Sequence, residues 1–241
     1  MVSESVVEAF TELAASYEQT MDEELRMLWG VDYETFIERL TDLAAVEPGD
    51  RVLDVATGTA RIPAALAGAD PGAAQIVGLD ITWRMLAHGR GHLRRAQNGA
   101  DVPFVCASAM AMPLANGSFD VVTCGLGMHH MDVLTVLGEI HRVLADGGRL
   151  VMATVGARRY WQAPGVRALM HGITFLYFKS QGHTARARAE AATTSNIHTA
   201  VEWRDILADA GFASVDVQRA FAPRHSWYPY GLVLRARKEP L

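Results

Sequence analysis

The chain has 241 residues, half of them hydrophobic and a fifth charged, and its 22 basic side chains against 27 acidic ones leave a net charge of −5. That length corresponds to about 1.6 average domains, and it can bury a full core without staples. The composition excludes a disordered chain, and the charge gives no general attraction to nucleic acid.

Val6, Phe10, Leu13, Ala14, Tyr17 and Met21 recur at three- and four-residue steps, which predicts one face of a helix. A second helical stretch runs from Leu25 to Leu43 with a break near Gly30, and Pro48-Gly49-Asp50 ends it. Short apolar runs then alternate with helical ones. Strands are expected at Val52 to Ala56, Gln75 to Asp80, Val102 to Cys106, Phe119 to Cys124 and Arg149 to Val155. Helices are expected at Arg61 to Gly68, Thr82 to Gln97, and from Asp132 to Leu144 with Asp146-Gly147-Gly148 behind it. Residues 156 to 199 interrupt the alternation. A helix at Trp203 to Ala210 and strands at Val215 to Arg219 and Leu232 to Arg237 close the chain. Such alternation implies an α/β fold with a mostly parallel sheet covered on both faces.

We expect a single domain: a helical cap at 1–47, a core at 48–155, an inserted lid at 156–199 and the C-terminal part of the core at 200–241. The two cysteines, Cys106 and Cys124, are too few for a disulfide framework. The N-terminal stretch lacks the basic region and apolar run of a signal peptide. No apolar stretch reaches the length of a membrane span. These features point to a cytoplasmic protein with no integral membrane segment.

The most informative stretch is RVLDVATGTAR, Arg51 to Arg61. It reads as a buried strand, a tight turn around Gly58 and a helix. In open parallel sheets a ligand sits at the carboxyl ends of the strands, beside such a turn. Asp54 before the turn would repel a pyrophosphate, so it suits a ligand with an amino group and a cationic centre. The alternative for Asp54 is a cap on the following helix. Asp80 follows Gly58 by 22 residues, near the spacing expected of an acid that accepts hydrogen bonds from ribose hydroxyls. Together the two features indicate a nucleoside-containing ligand.

The segments VLDVATGTA, IVGLDITWRML, ASAMAMPLANGSFDVVTCGLGMHHM and LGEIHRVLADGGRLVMA resemble, in order and spacing, the class I S-adenosylmethionine-dependent methyltransferases. The likeness is greatest to the small-molecule branch that includes the ubiquinone/menaquinone C-methyltransferases and natural-product tailoring enzymes. It implies a Rossmann-like, doubly wound sheet of seven strands. The resemblance places Asp54 and the turn Ala56, Thr57 and Gly58 at the methionine part of S-adenosylmethionine. It places Asp80 at the ribose, Ile81 against the adenine, Ser108 and Ala109 near the adenine amine, and Gly125 and Leu126 near the sulfonium. Tyr17 resembles a cap tyrosine that closes over the cofactor. Two departures stand out: Ala56 and Ala60 occupy positions where the family usually has glycine, and Ser108 replaces an acid.

Methyl transfer from a sulfonium draws on alignment and desolvation, and a base helps when the acceptor is a hydroxyl or an activated ring carbon. His129 and His130, just past the fourth strand, are the candidate bases. They could equally fill the pocket wall. No metal is expected there, because these histidines lack carboxylate or cysteine partners at useful spacing. Tyr160, Trp161, Phe175, Tyr177 and Phe178 could line an acceptor pocket or a homodimer interface, and Arg186 and Arg188 read as a solvated face. A nicotinamide dehydrogenase would need G-x-G-x-x-G after the first strand, which this chain lacks. The competing class is a fold-retaining protein without methyl transfer, such as a cofactor-binding regulator or a cyclase-like enzyme. The expected activity is methylation of a small hydrophobic or aromatic acceptor, on oxygen or carbon, releasing S-adenosylhomocysteine.

Overall fold

The computed structural model describes residues 4–69, 75–95, 102–180 and 182–240. Its centre is a seven-stranded sheet in the order β3-β2-β1-β4-β5-β7-β6. The strands are β1 (Arg51–Val55), β2 (Gln75–Asp80), β3 (Phe104–Cys106), β4 (Phe119–Gly125), β5 (Leu144–Gly156), β6 (Phe212–Phe221) and β7 (Tyr230–Lys238). The first five pair in parallel, and β7 runs antiparallel to both β5 and β6. Chain order reverses between β1 and β4. That is the switch point at which an open α/β sheet leaves a crevice at its carboxyl edge.

Neighbouring strand residues project to opposite faces, and both faces are covered. Leu53, Val122, Leu150 and Leu234 pack with α6 (Val133–Val143) and α9 (Ala200–Asp209), where Trp203 is fully buried. On the other side Val52, Val121, Val151 and Val233 meet α3 (Tyr33–Ala44), α4 (Arg61–Ala69) and α5 (Trp83–Arg95). This two-sided burial explains why the central strands read as unbroken apolar runs.

Three expectations need correction. The N-terminal apolar face is split between α1 (Glu4–Leu13) and α2 (Tyr17–Trp29), because the chain turns at 14–16. The helix expected to run through Leu144 ends at Val143, where Leu144 pairs with Phe119 as the irregular start of β5. Arg186 is buried rather than solvated, and its Nη2 lies 2.6 Å from Glu24 Oε1. The end of the predicted helix at 96–97 lies outside the described residues.

The interruption at 156–199 contains two helices, α7 (Pro164–Ser180) and α8 (Thr184–Ala192). Val6 and Ala9 of α1 pack on Ala185 and Ala189 of α8, with Phe10 against them. The N-terminal helices and the late insertion thus meet over the carboxyl edge. Among the described residues no helix is long and apolar enough to cross a membrane.

Candidate cofactor and acceptor site

The turn between β1 and α4 is held from beneath. Asp54 is completely buried and accepts hydrogen bonds from the Thr57 hydroxyl at 2.6 Å and the Thr123 hydroxyl at 2.7 Å. The Thr57 N–H donates to the Leu79 carbonyl of β2 at 3.0 Å. Within the turn Ala56, Gly58 and Ala60 have φ of 55°, 54° and 59°, so two alanines adopt the left-handed conformation that favours glycine.

Asp80 closes β2 and ties the turn to the adjacent strand. One carboxylate oxygen accepts the Gly58 N–H at 2.9 Å, and the other accepts the Thr82 N–H at 2.7 Å. The Thr82 hydroxyl and the Ile81 backbone also hydrogen-bond to this carboxylate. Burial pushes both acids upward, Asp54 to about 7. The hydrogen bonds to each act in the opposite direction, and the two acids also repel one another. Among the described residues neither has an ion-pair partner, so this part of the site favours a cationic ligand.

A cleft partly open to solvent lies at this edge. It is lined by Tyr17, Ala56, Gly58, Asp80, Ile81, Ala109, Gly125, Leu126 and His130 of the expected set. Asp54, Thr57, Ser108 and His129 do not line it. Asp54 and Thr57 support the turn from below. Ser108 accepts the Met110 N–H at 3.2 Å and so shapes the loop after β3. His129 lies behind the wall. Its carbonyl and that of Met131 accept hydrogen bonds from the Asn196 side chain, at 3.1 and 2.9 Å. Asn196 therefore fixes the 3₁₀ turn Met128–His130 from outside the core.

The cleft also takes in Val6 and Phe10 of α1, Met85 of α5 and Met131. Periodicity placed Phe10 on the packing face of a helix and could not distinguish core from cleft. Tyr17 is half-buried at the cleft wall and faces Phe10 and Tyr33 at ring distances of 6.3 and 6.4 Å. His130 meets Phe10 edge-on at 5.1 Å. Burial lowers both histidines, His129 to about 3 and His130 to about 4, so both imidazoles are neutral near pH 7. One end of the cleft thus presents carboxylate and backbone, and the other presents aromatic rings, methionines and a neutral histidine.

A demethylmenaquinone methyltransferase of Thermus thermophilus is 43% identical over 116 residues, covering 47% of this chain and 51% of its own length. A ubiquinone/menaquinone C-methyltransferase, UbiE, of Cereibacter sphaeroides is 35% identical over 144 residues, covering 59% and 56%. The chain spans about half the length of the curated relatives it matches. Among solved structures, a Haemonchus contortus phosphoethanolamine N-methyltransferase in complex with S-adenosylhomocysteine superposes with a TM-score of 0.62. That match is 14% identical over 96% of this chain and 59% of the other, which supports the fold alone. The ubiE/COQ5 methyltransferase family model matches residues 1–160, which include the turn, Asp80 and the histidine pair, and the chain belongs to that family.

Proposed function

We propose that this protein transfers a methyl group from S-adenosylmethionine to a small aromatic acceptor of the quinol class, on a ring carbon. The observation that carries the reading is Asp80, a buried carboxylate that joins β2 to the β1 turn and lines the cleft. The pair of buried acids fits a ligand with an ammonium and a sulfonium centre, and the curated relatives act on quinone precursors. When bound, S-adenosylmethionine supplies an electrophilic methyl group.

The chain's own residues have separable tasks. Asp80 accepts hydrogen bonds from the ribose hydroxyls, and Ile81 and Ala109 offer apolar surface to the adenine. The turn Ala56, Thr57 and Gly58, backed by Asp54, faces the methionyl part. Gly125 and Leu126 border the reacting centre, and Tyr17 closes the wall. His130 accepts a proton from the acceptor's hydroxyl at a ring nitrogen, which raises the electron density of the ring carbon. His129 supports it from behind. In this reading α1 and α2 form a cap and α7 and α8 a lid, and together they exclude water from the acceptor. The protein acts in the cytoplasm without nucleic acid. No observation favours a non-methylating role.

Incubation with methyl-labelled S-adenosylmethionine and a soluble naphthohydroquinone should give a ring-methylated product and one equivalent of S-adenosylhomocysteine. Asp80→Ala should abolish both. Absence of transfer to any hydroquinone or phenol at saturating cofactor would overturn the reading.

A further inference from the structure

His129 and His130 leave β4 in the 3₁₀ turn, and Glu190 arrives on α8 from the far side of the insertion. Their nearest ligating atoms all lie within 4.8 Å of one another. Both histidine Nδ1 atoms are buried without a hydrogen-bond partner, and His129 is 7% exposed. Buried polar atoms are normally paired, so an unpartnered ring nitrogen on each of two adjacent histidines leaves room for a ligand that accepts a lone pair from each ring. The rings stand 4.3 Å apart at 40°.

We propose that His129, His130 and Glu190 form a binding site for one divalent transition ion, with zinc as the reference case. Two imidazoles and one carboxylate are a borderline donor set that suits zinc, iron(II), nickel or manganese over calcium. Three protein ligands leave a fourth position open, and His130 borders the cleft. Local charge agrees. Arg186 Nη2 pairs with Glu24 at 2.6 Å, and its Nε stands 3.6 Å from Glu190. Two acids thus surround one guanidinium, leaving one negative charge for the ion to offset. Tetrahedral zinc with bonds near ~2.0–2.1 Å draws its ligand atoms to roughly 3.3 Å apart. Side-chain rotation of Glu190 away from its long contact with Arg186 would supply the closure.

The ion would fasten α8 to the sheet's carboxyl edge. It would also occupy the lone pair that His130 otherwise offers a proton, so it would act as an inhibitor of the chemistry proposed above. The binding itself does not depend on that chemistry.

The test is binding, not turnover. Tag-free, chelator-treated protein is dialysed against zinc chloride and assayed for bound metal, and cobalt(II) is titrated while its visible absorption is followed. One ion per chain is expected, with cobalt bands of a four- or five-coordinate site. Glu190→Gln should weaken zinc by at least about tenfold, a loss that outer-shell changes alone can reach, and His129→Ala should do the same. Binding of S-adenosylmethionine and circular dichroism should be unchanged in Glu190→Gln, which decides the matter if His129→Ala fails to fold. No stoichiometric binding, or undiminished affinity in Glu190→Gln, would overturn the proposal.

Discussion

The β1 turn makes a prediction whose sign differs at three neighbouring positions. Ala56, Gly58 and Ala60 share φ values of 55°, 54° and 59°, and the left-handed region costs an L-residue about 1–2 kcal/mol. Replacing alanine by glycine removes that cost but raises unfolded-chain entropy by about 0.4–1 kcal/mol. Ala56→Gly should therefore stabilise by up to ~1 kcal/mol, since its methyl is only partly buried against the core. Ala60 is fully buried, and losing its methyl costs about 0.8 kcal/mol, so Ala60→Gly should be close to neutral. Gly58→Ala should destabilise by ~1 kcal/mol or more, because its new Cβ would also stand 3.3 Å from Met85 Cε. At this chain length each kcal/mol moves Tm by about 2–4 °C. A second check uses Gly127, where an added Cβ would stand 2.5 Å from the Ala56 methyl. Gly127→Ala should be destabilising alone and largely rescued by Ala56→Gly, a coupling of ~1 kcal/mol or more. Thermal and denaturant unfolding of the five variants would decide the point. A clear loss of stability in Ala56→Gly, or a tolerated Gly127→Ala in the parent chain, would refute the reasoning.

Other outcomes follow from the same site. Burial holds Asp54 up to about 7, so the folded chain keeps a proton that the unfolded carboxyl releases near pH 4. This contribution to stability is lost as pH rises from about 4 to 7 and is level above that. Denaturant unfolding at pH 5 and pH 8 should show the downward slope, and Asp54→Asn should flatten it. Asp80→Ala leaves the Gly58 and Thr82 amides without their partner, which costs about 1–3 kcal/mol for each, and Tm should fall by several degrees. His130→Ala should lower turnover by about 10²-fold or more while S-adenosylmethionine affinity stays nearly constant. Full turnover in that variant would remove His130 from the chemistry.

Much of the fold was legible because burial on both faces leaves a strong mark. β2 falls at its expected residues, and β1, β4 and β7 within two residues of them. Asp80 and Gly58 were legible for a related reason: a strand end and a turn in fixed order define a crevice whatever surrounds them. The N-terminal helices were harder, since the turn at 14–16 keeps the same apolar face in register on both sides. Residues 156–199 hid their helices. Leu169, Ile173 and Leu176 are exposed on α7, and none of its described residues is fully buried, so the helix lacks a clear apolar face. Arg186 carries no sequence mark of its burial, because its partner Glu24 is 162 residues away. Glu190 is equally invisible beside the histidine pair, since spacing along the chain cannot report a contact made between distant elements. Ala56 and Ala60 were visible as departures from a glycine-rich turn, whereas their left-handed backbone is a finding of the structure.

The central claim is that the cleft at the β1–β4 switch holds S-adenosylmethionine through Asp80. Calorimetric titration of the purified protein with S-adenosylmethionine and S-adenosylhomocysteine, with Asp80→Ala as control and NADH as decoy, tests it most directly. The account predicts micromolar binding of both sulfur nucleosides at one site per chain, its collapse in Asp80→Ala, and no heat from NADH. No binding of either by folded wild-type protein, or equal binding by a folded Asp80→Ala variant, would contradict it.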